Sequence, residues 1–219
     1  LSYIHMRVGR TPRGEMLDPA RFQVLTGEGG KPERIRVRRG TRFRSGEVLG
    51  TINGMAHVHL SVGAPGYERN AIALGFTQWA DRSPPRIDRI DFLDAQAQPL
   101  ATRRQGRVVL PRDTPGVQIV VDAWDQVDRN LPRRRLGLHA LGYQWLDAGG
   151  TPLPGYEQPR MNIEFNRMPA ENDAVMVAYG PGSGVTVHGS AITRFQYLVT
   201  NTVRDGQLAT GAWQPGELP

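Results

Sequence analysis

The stretch Gly54-Met55-Ala56-His57-Val58-His59-Leu60-Ser61-Val62 places two histidines two residues apart inside an apolar run. Read as a strand, its side chains alternate faces. His57 and His59 then point the same way, while Val58, Leu60 and Val62 point toward a core. Two imidazoles on one strand face can share a metal, or one can bind it while the other moves a proton. An exposed histidine pair on an edge strand has the same spacing, so the dipeptide pattern alone leaves both readings open.

Working outward, the chain reads as short strands separated by turns. Residues 2–8 alternate as a strand that carries His5. Residues 9–33 are polar and turn-rich, with a short strand expected at Phe22–Leu25. In Arg34-Ile35-Arg36-Val37-Arg38-Arg39-Gly40 the arginines at 34, 36 and 38 share one face and Ile35 and Val37 the other, the pattern of a half-buried strand. Gly40, Gly46, Gly50 and Gly54 then punctuate very short strands up to the histidine strand, expected at about 56–63. Ala71–Phe76 reads as a last strand or a helical turn. Asp81-Arg82-Ser83-Pro84-Pro85 reads as a linker, since proline disfavours both helix and ladder pairing. These features predict two domains, 1–82 and 83–219.

After Arg86 the strands recur at roughly ten-residue spacing, as in a β-sandwich. They are expected at Ile87–Leu93, Arg107–Leu110, Gln118–Trp124, Leu138–Leu146, Met161–Phe165, Gly184–Val187 and Phe195–Thr200. No strong amphipathic helix is expected in this half. Glycine (26 residues) and proline (17) fall between apolar runs rather than in one block, which agrees with many turns. The expected class is all-β.

The remaining composition narrows the partners. No stretch approaches the roughly 20 apolar residues that span a bilayer as a helix. There is no cysteine, so disulfides and thiolate metal sites are excluded. The net charge of +6 rests on arginine with a single lysine, Lys31. It suits an anionic partner or plain solubility, and the arginines are not interleaved with aromatics, so no nucleic-acid partner is expected. The sequence starts Leu1-Ser2-Tyr3-Ile4-His5, without an initiator Met, and is expected to be a fragment or processed chain.

Three segments of the first domain, in order, resemble the catalytic domain of the M23 (lysostaphin/LytM-like) zinc metallopeptidases. Tyr3-Ile4-His5-Met6 is similar to that family's Tyr-x-His-Leu strand. The run from Ile35 through Gly40, Gly46, Val48 and Gly50 to Thr51 resembles its glycine-punctuated hairpin ladder. His57-Val58-His59-Leu60 resembles its His-x-His strand. The resemblance covers about residues 1–76 and implies an antiparallel β domain, N-terminally incomplete; the strand spacing after Arg86, not the resemblance, makes residues 83–219 an expected immunoglobulin-like sandwich short of its last strand.

The resemblance also implies roles. His59 corresponds to a zinc ligand, and His57 and His5 to catalytic histidines beside the metal. It implies a zinc endopeptidase of the bacterial envelope, periplasmic or extracellular, cleaving peptidoglycan peptides or another peptide substrate. The alternative is an M23-like binding or regulatory module without catalysis. The family's other two ligands stand in a His-x-x-x-Asp motif, which this sequence does not contain. A single histidine ligand holds zinc weakly, so the chain as given is expected to be metal-poor and inactive. Asn53-Gly54-Met55-Ala56 also replaces the family's Thr-Gly-x-His approach to the strand.

Other candidates have plainer readings. Asp122, Asp125, Asp128 and Asn130 offer calcium-type oxygens, but their spacing is not that of an EF-hand loop and a polar turn is expected. Gly180-Pro181-Gly182-Ser183-Gly184 lacks the Lys-Ser/Thr of a phosphate loop and reads as a hairpin turn. Trp124, Tyr143, Trp145, Phe165 and Tyr197 are expected to pack inside strands rather than to form a glycan platform. His139 and His188 are expected to be structural or surface residues.

Overall fold

The computed structural model describes residues 2–218, apart from Met55, Ala56, Pro65, Gln78 and residues 185–192. Among the described residues there are fifteen strands, against one five-residue helix and three short 3-10 turns. The class is therefore all-β. The chain divides into two compact units, Leu1–Val62 and Gly63–Pro219.

The first unit consists of antiparallel pairs nested one inside the next. β1 (Ser2–Ile4) pairs with β6 (His59–Ser61), β2 (Met6–Val8) with β5 (Gly50–Ile52), and β3 (Phe22–Thr26) with β4 (Pro32–Val37). The innermost hairpin follows from alternation: Phe22 and Val24 oppose Val37 and Ile35 on one face. Phe22 is 2% exposed and is the only fully buried large apolar side chain of this unit among the described residues. Gly9, at φ +66, closes over it; a Cβ there would stand 2.8 Å from the Phe22 ring. Phe43 lies 5.9 Å from Phe22, and Arg21 sits over Phe43 while donating to Glu47 Oε2 at 2.7 Å. Val37 is 37% exposed, so the apolar face of this hairpin is only partly covered.

The outer ladder is broken at His5. Ile4 is opposite His59, whereas Met6 is opposite Ile52. A single residue, His5, thus separates the two pairings on the outgoing side, against the longer stretch of sequence between Ile52 and His59 on the returning side. His5 has φ +66, a left-handed backbone conformation that ends the ladder, and its carbonyl accepts the Asn53 N–H at 3.1 Å. Two expectations are corrected here. Residues 2–8 form two strands rather than one, and the histidine strand is His59–Ser61, with His57 outside it. The Met55-Ala56 part of the preceding turn lies outside the described residues.

The second unit contains two sheets and a small β-ribbon. In the first sheet, β10 (Gln118–Trp124) lies between β7 (Arg86–Leu93) and β13 (Gln196–Leu198), both antiparallel to it. In the second, β11 (Ala140–Tyr143), β12 (Arg160–Glu164), β14 (Thr202–Arg204) and β15 (Gln207–Ala209) follow in that order. The β12–β14 contact is parallel and consists of one residue pair, Ile163 opposite Val203. The ribbon is β8 (Arg103–Arg104) with β9 (Arg107–Val108). Both sheets feed one core: Ile119, Val121, Ala123 and Tyr197 from the first, Leu141 and Ile163 from the second, joined by Val117, Leu138, Tyr156, Val199 and Trp213.

Two polar side chains of that core are paired, whereas Trp145 Nε1 and Thr200 Oγ1 are buried without a hydrogen-bond partner among the described residues. The fully buried Tyr197 hydroxyl accepts the Leu138 N–H at 2.7 Å, and Trp213 Nε1 donates to the Tyr156 hydroxyl at 3.0 Å. Trp145 lies 4.1 Å from Trp213. The aromatic residues expected to pack therefore do so here, with Trp124 as the exception treated below. The glycine-rich 180–184 segment is a turn, with Ser183 N–H donating to the Gly180 carbonyl, and Gly184 bridges Arg194. The rest of the strand expected at Gly184–Val187 lies outside the described residues.

The division at Val62/Gly63 comes earlier than the proline-marked boundary expected at 81–85. Segment 63–82 is tied to the second unit by its backbone: Asn70 N–H to the Asn166 carbonyl at 2.9 Å, Met168 N–H to the Glu68 carbonyl at 3.1 Å, and Arg82 N–H to Asp128 Oδ1 at 3.0 Å. Ala71–Phe76 contains a 3-10 turn, Ile72–Leu74, ended by Gly75 at φ +94.

Candidate metal centre

The break in the outer ladder brings three imidazoles together. His5 sits at the break, His59 opens β6, and His57 lies in the returning segment between them. Their ring centroids are 4.7 Å (His5–His57), 4.9 Å (His5–His59) and 5.0 Å (His57–His59) apart. Each offers a ligand nitrogen, and these atoms all lie within 4.8 Å of one another. His5 and His57 are half-buried and His59 is exposed, so the cluster is open to solvent on one side.

His57 Nε2 and His59 Nε2 are 3.1 Å apart. Two nitrogens on one tetrahedral zinc, with bonds of about 2.0–2.1 Å, stand about 3.3 Å apart. The observed spacing fits one shared ion. Without an ion it requires that one of the two nitrogens carry a proton and the other a lone pair. The donor set is three imidazoles with no carboxylate or thiolate, which suits zinc and other borderline divalent ions. Partial desolvation, and then the neighbouring His57 and His59, hold the His5 pKa below its ordinary value.

The sequence brings His57 and His59 to one place for a different reason from the one expected. They do not share a strand face. They meet because the ladder restarts at His59 after an excursion, and His5 faces that excursion. Sequence reasoning missed the participation of Asn53, whose N–H fixes the His5 carbonyl.

The other candidates serve structure. Asp122 accepts Arg194 and Gln196 Nε2, the latter at 3.2 Å, while Asp125 Oδ1 accepts the Gln126 N–H. Asp128 holds Arg82 through its N–H and Nε, both at 3.0 Å. These carboxylates do not converge on a calcium-type site. Trp124 lies under the Arg135 guanidinium at 4.4 Å and donates from Nε1 to Asp88 at 2.8 Å. His139 Nε2 is 2.9 Å from Asn166 Oδ1 in a polar network with Asn70. His188 lies outside the described residues. Among the described residues no helix is long and apolar enough to cross a membrane.

Comparison with protein-family models, with curated proteins and with solved structures finds no match to this chain.

Proposed function

We propose that the first unit is an M23-like zinc peptidase unit, acting on peptidoglycan peptides in the bacterial envelope. The second unit is proposed to be an immunoglobulin-like sandwich that positions it or binds a partner. The observation that carries this reading is the convergence of His5, His57 and His59, the three histidines that the family resemblance singles out. Incidental histidines on a purely structural β protein would have no reason to meet. Two sheets feeding one core support the sandwich; the parallel β12–β14 pair is a departure from it.

The geometry also refines the roles. The 3.1 Å spacing favours His57 together with His59 as holders of the ion, so this chain offers more than the single ligand expected from the resemblance. His5 then stands beside them as the group that accepts and returns a proton. A zinc ion bound there supplies Lewis acidity, polarising a scissile carbonyl and acidifying water. The open side of the cluster leaves room for an extended peptide.

The test is zinc analysis of the purified chain, with hydrolysis of peptidoglycan peptides assayed alongside, for the parent and for His57→Ala and His59→Ala. The reading predicts that zinc co-purifies at one ion per chain and that both substitutions remove it. Full peptide hydrolysis in both variants overturns the site assignment. Zinc binding with no hydrolysis of any peptide favours the alternative, an M23-like binding module.

A further inference from the structure

The charge of this protein is unevenly distributed. Leu1–Val62 holds eleven of the 27 Lys and Arg residues but only five of the 21 Asp and Glu, a net charge of +6. Gly63–Pro219 holds sixteen of each and is neutral overall. All of the net charge therefore belongs to the first unit, and much of it lies on one hairpin.

In the β3–β4 register, Arg36 is opposite Gln23 and Arg34 opposite Leu25, and the Arg38 N–H donates to the Arg21 carbonyl at 2.8 Å, continuing the ladder. Directly opposed residues share a face, so Arg34, Arg36 and Arg38 form a row on the face away from Phe22 and Ile35. All three are exposed. Successive members are two residues apart, about 7 Å along the strand.

Their contacts orient the guanidiniums without neutralising them. Arg36 Nε donates to the Gln23 amide oxygen at 3.0 Å, and Arg38 Nε to the Pro19 carbonyl at 3.2 Å. Neither forms an ion pair among the described residues, whereas nearby Arg21 is matched by Glu47 and Asp18. Arg34 meets Glu33 only at 3.5 Å, with both side chains mostly exposed. Exposed Arg39, Arg42 and Arg44 follow in the adjoining loop.

We propose that this face is a docking surface for a linear phosphodiester polyanion without bases, of the poly(glycerol phosphate) kind. An evenly spaced row of pre-oriented guanidiniums can engage successive phosphates of an extended chain, each through a planar two-donor fork. Single-stranded nucleic acid is disfavoured because its binding uses aromatic platforms, and the row carries none; Phe43 is committed to Phe22 and Arg21. An anionic bilayer is disfavoured because Leu25, the apolar residue that the β3–β4 register places beside the arginines, is half-buried rather than protruding. The surface is independent of the histidine cluster and needs no metal.

The experiment titrates the full chain with a poly(glycerol phosphate) oligomer, with oligo(dT) of equal charge and with phosphatidylglycerol vesicles. The paired variant Arg36→Gln/Arg38→Gln is compared with Arg103→Gln/Arg104→Gln, an equal charge change on β8 of the second unit. Circular dichroism confirms that each is folded. The first variant is expected to lose at least about tenfold in affinity for the oligomer, with a log K against log salt slope shallower by about 1.4, the value for two lost contacts on a single strand. The β8 variant is expected to bind as the parent does. A third variant, Arg36→Lys/Arg38→Lys, keeps the charge and removes the forks, and is expected to bind more weakly than the parent. Equal losses in the first two variants, full affinity in the lysine variant, or tighter binding to oligo(dT) or vesicles than to the oligomer would each overturn the proposal.

Discussion

The Nε2 atoms of His57 and His59 lie 3.1 Å apart, a contact that one shared proton or one shared ion can hold. A substitution series separates the roles around it. His57→Ala and His59→Ala should each lower zinc affinity by more than the tenfold to hundredfold that losing a supporting partner costs. His5→Ala should lower peptide turnover by more than it lowers zinc affinity. Calorimetric titration with zinc, paired with a turnover assay, reads both. If His5→Ala loses the metal as completely as His59→Ala, all three residues are ligands and the proton role of His5 is lost.

Metal should also stabilise the first unit selectively. Its core is thin, with Phe22 its one fully buried large apolar side chain among the described residues, and small units with thin cores gain most from a metal clip. Zinc at 100 times its Kd should add about 2.7 kcal/mol to the stability of this unit. Two calorimetric transitions are expected, with only the first-unit transition rising on zinc addition and returning on chelation. A rise in both would mean that zinc acts outside the histidine cluster.

Acid should weaken the first unit. The pKa of His5 in the folded state lies below its unfolded value, so the unfolded chain binds the proton more readily. The contribution of His5 to stability is complete above about pH 6.5 and is lost as pH falls through the lower folded value. Metal affinity falls in the same direction, because ligand imidazoles must be neutral. Denaturant titrations of the metal-free chain between pH 7.5 and 5 should show the first-unit midpoint falling, and falling less in His5→Gln. Equal falls in parent and variant would assign the acid effect to other groups.

Alkali should act on the second unit instead. Burial holds the Tyr197 phenol far above its usual pKa, with neighbouring Tyr179 adding to the effect. A group whose pKa is raised on folding contributes stability fully present below its unfolded value, near pH 10, and lost as pH rises beyond it. Tyr197→Phe should remove that alkaline loss. At neutral pH it should cost about 1–3 kcal/mol, because the buried Leu138 N–H loses its acceptor. Stability curves of parent and variant from pH 7 to 11 should therefore converge as pH rises.

Parts of this architecture are legible in the sequence, and the reasons differ by element. Gln118–Trp124 matches its expected bounds because Ile119, Val121 and Ala123 are buried on one face of a central strand with sheet partners on both sides. The β14–β15 hairpin is not among the expected strands although its signal is local: Asp205-Gly206 adopts positive φ at both positions, +53 and +80, as a tight hairpin turn requires. The residues of the histidine cluster were legible, but their arrangement was not. A left-handed histidine leaves no compositional trace, so nothing in Tyr3-Ile4-His5-Met6 announces that the ladder stops at His5. The boundary at Val62/Gly63 depends on contacts more than 90 residues apart in sequence, such as Asn70 with Asn166, which local patterning does not encode.

The nested pairing of the first unit orders its assembly in time. The β3–β4 hairpin closes a turn of a few residues, the β2–β5 pair encloses that hairpin and its loops, and the β1–β6 pair encloses all of them. Loop-closure cost favours zipping from the inside outward, each closed pair shortening the span left for the next. His5 and His59 belong to the outermost closure, so their nitrogens meet only when the unit is otherwise complete. Ion capture would then be the final event on the folding route, and a partly folded chain would present scattered imidazoles rather than a trap for stray metal.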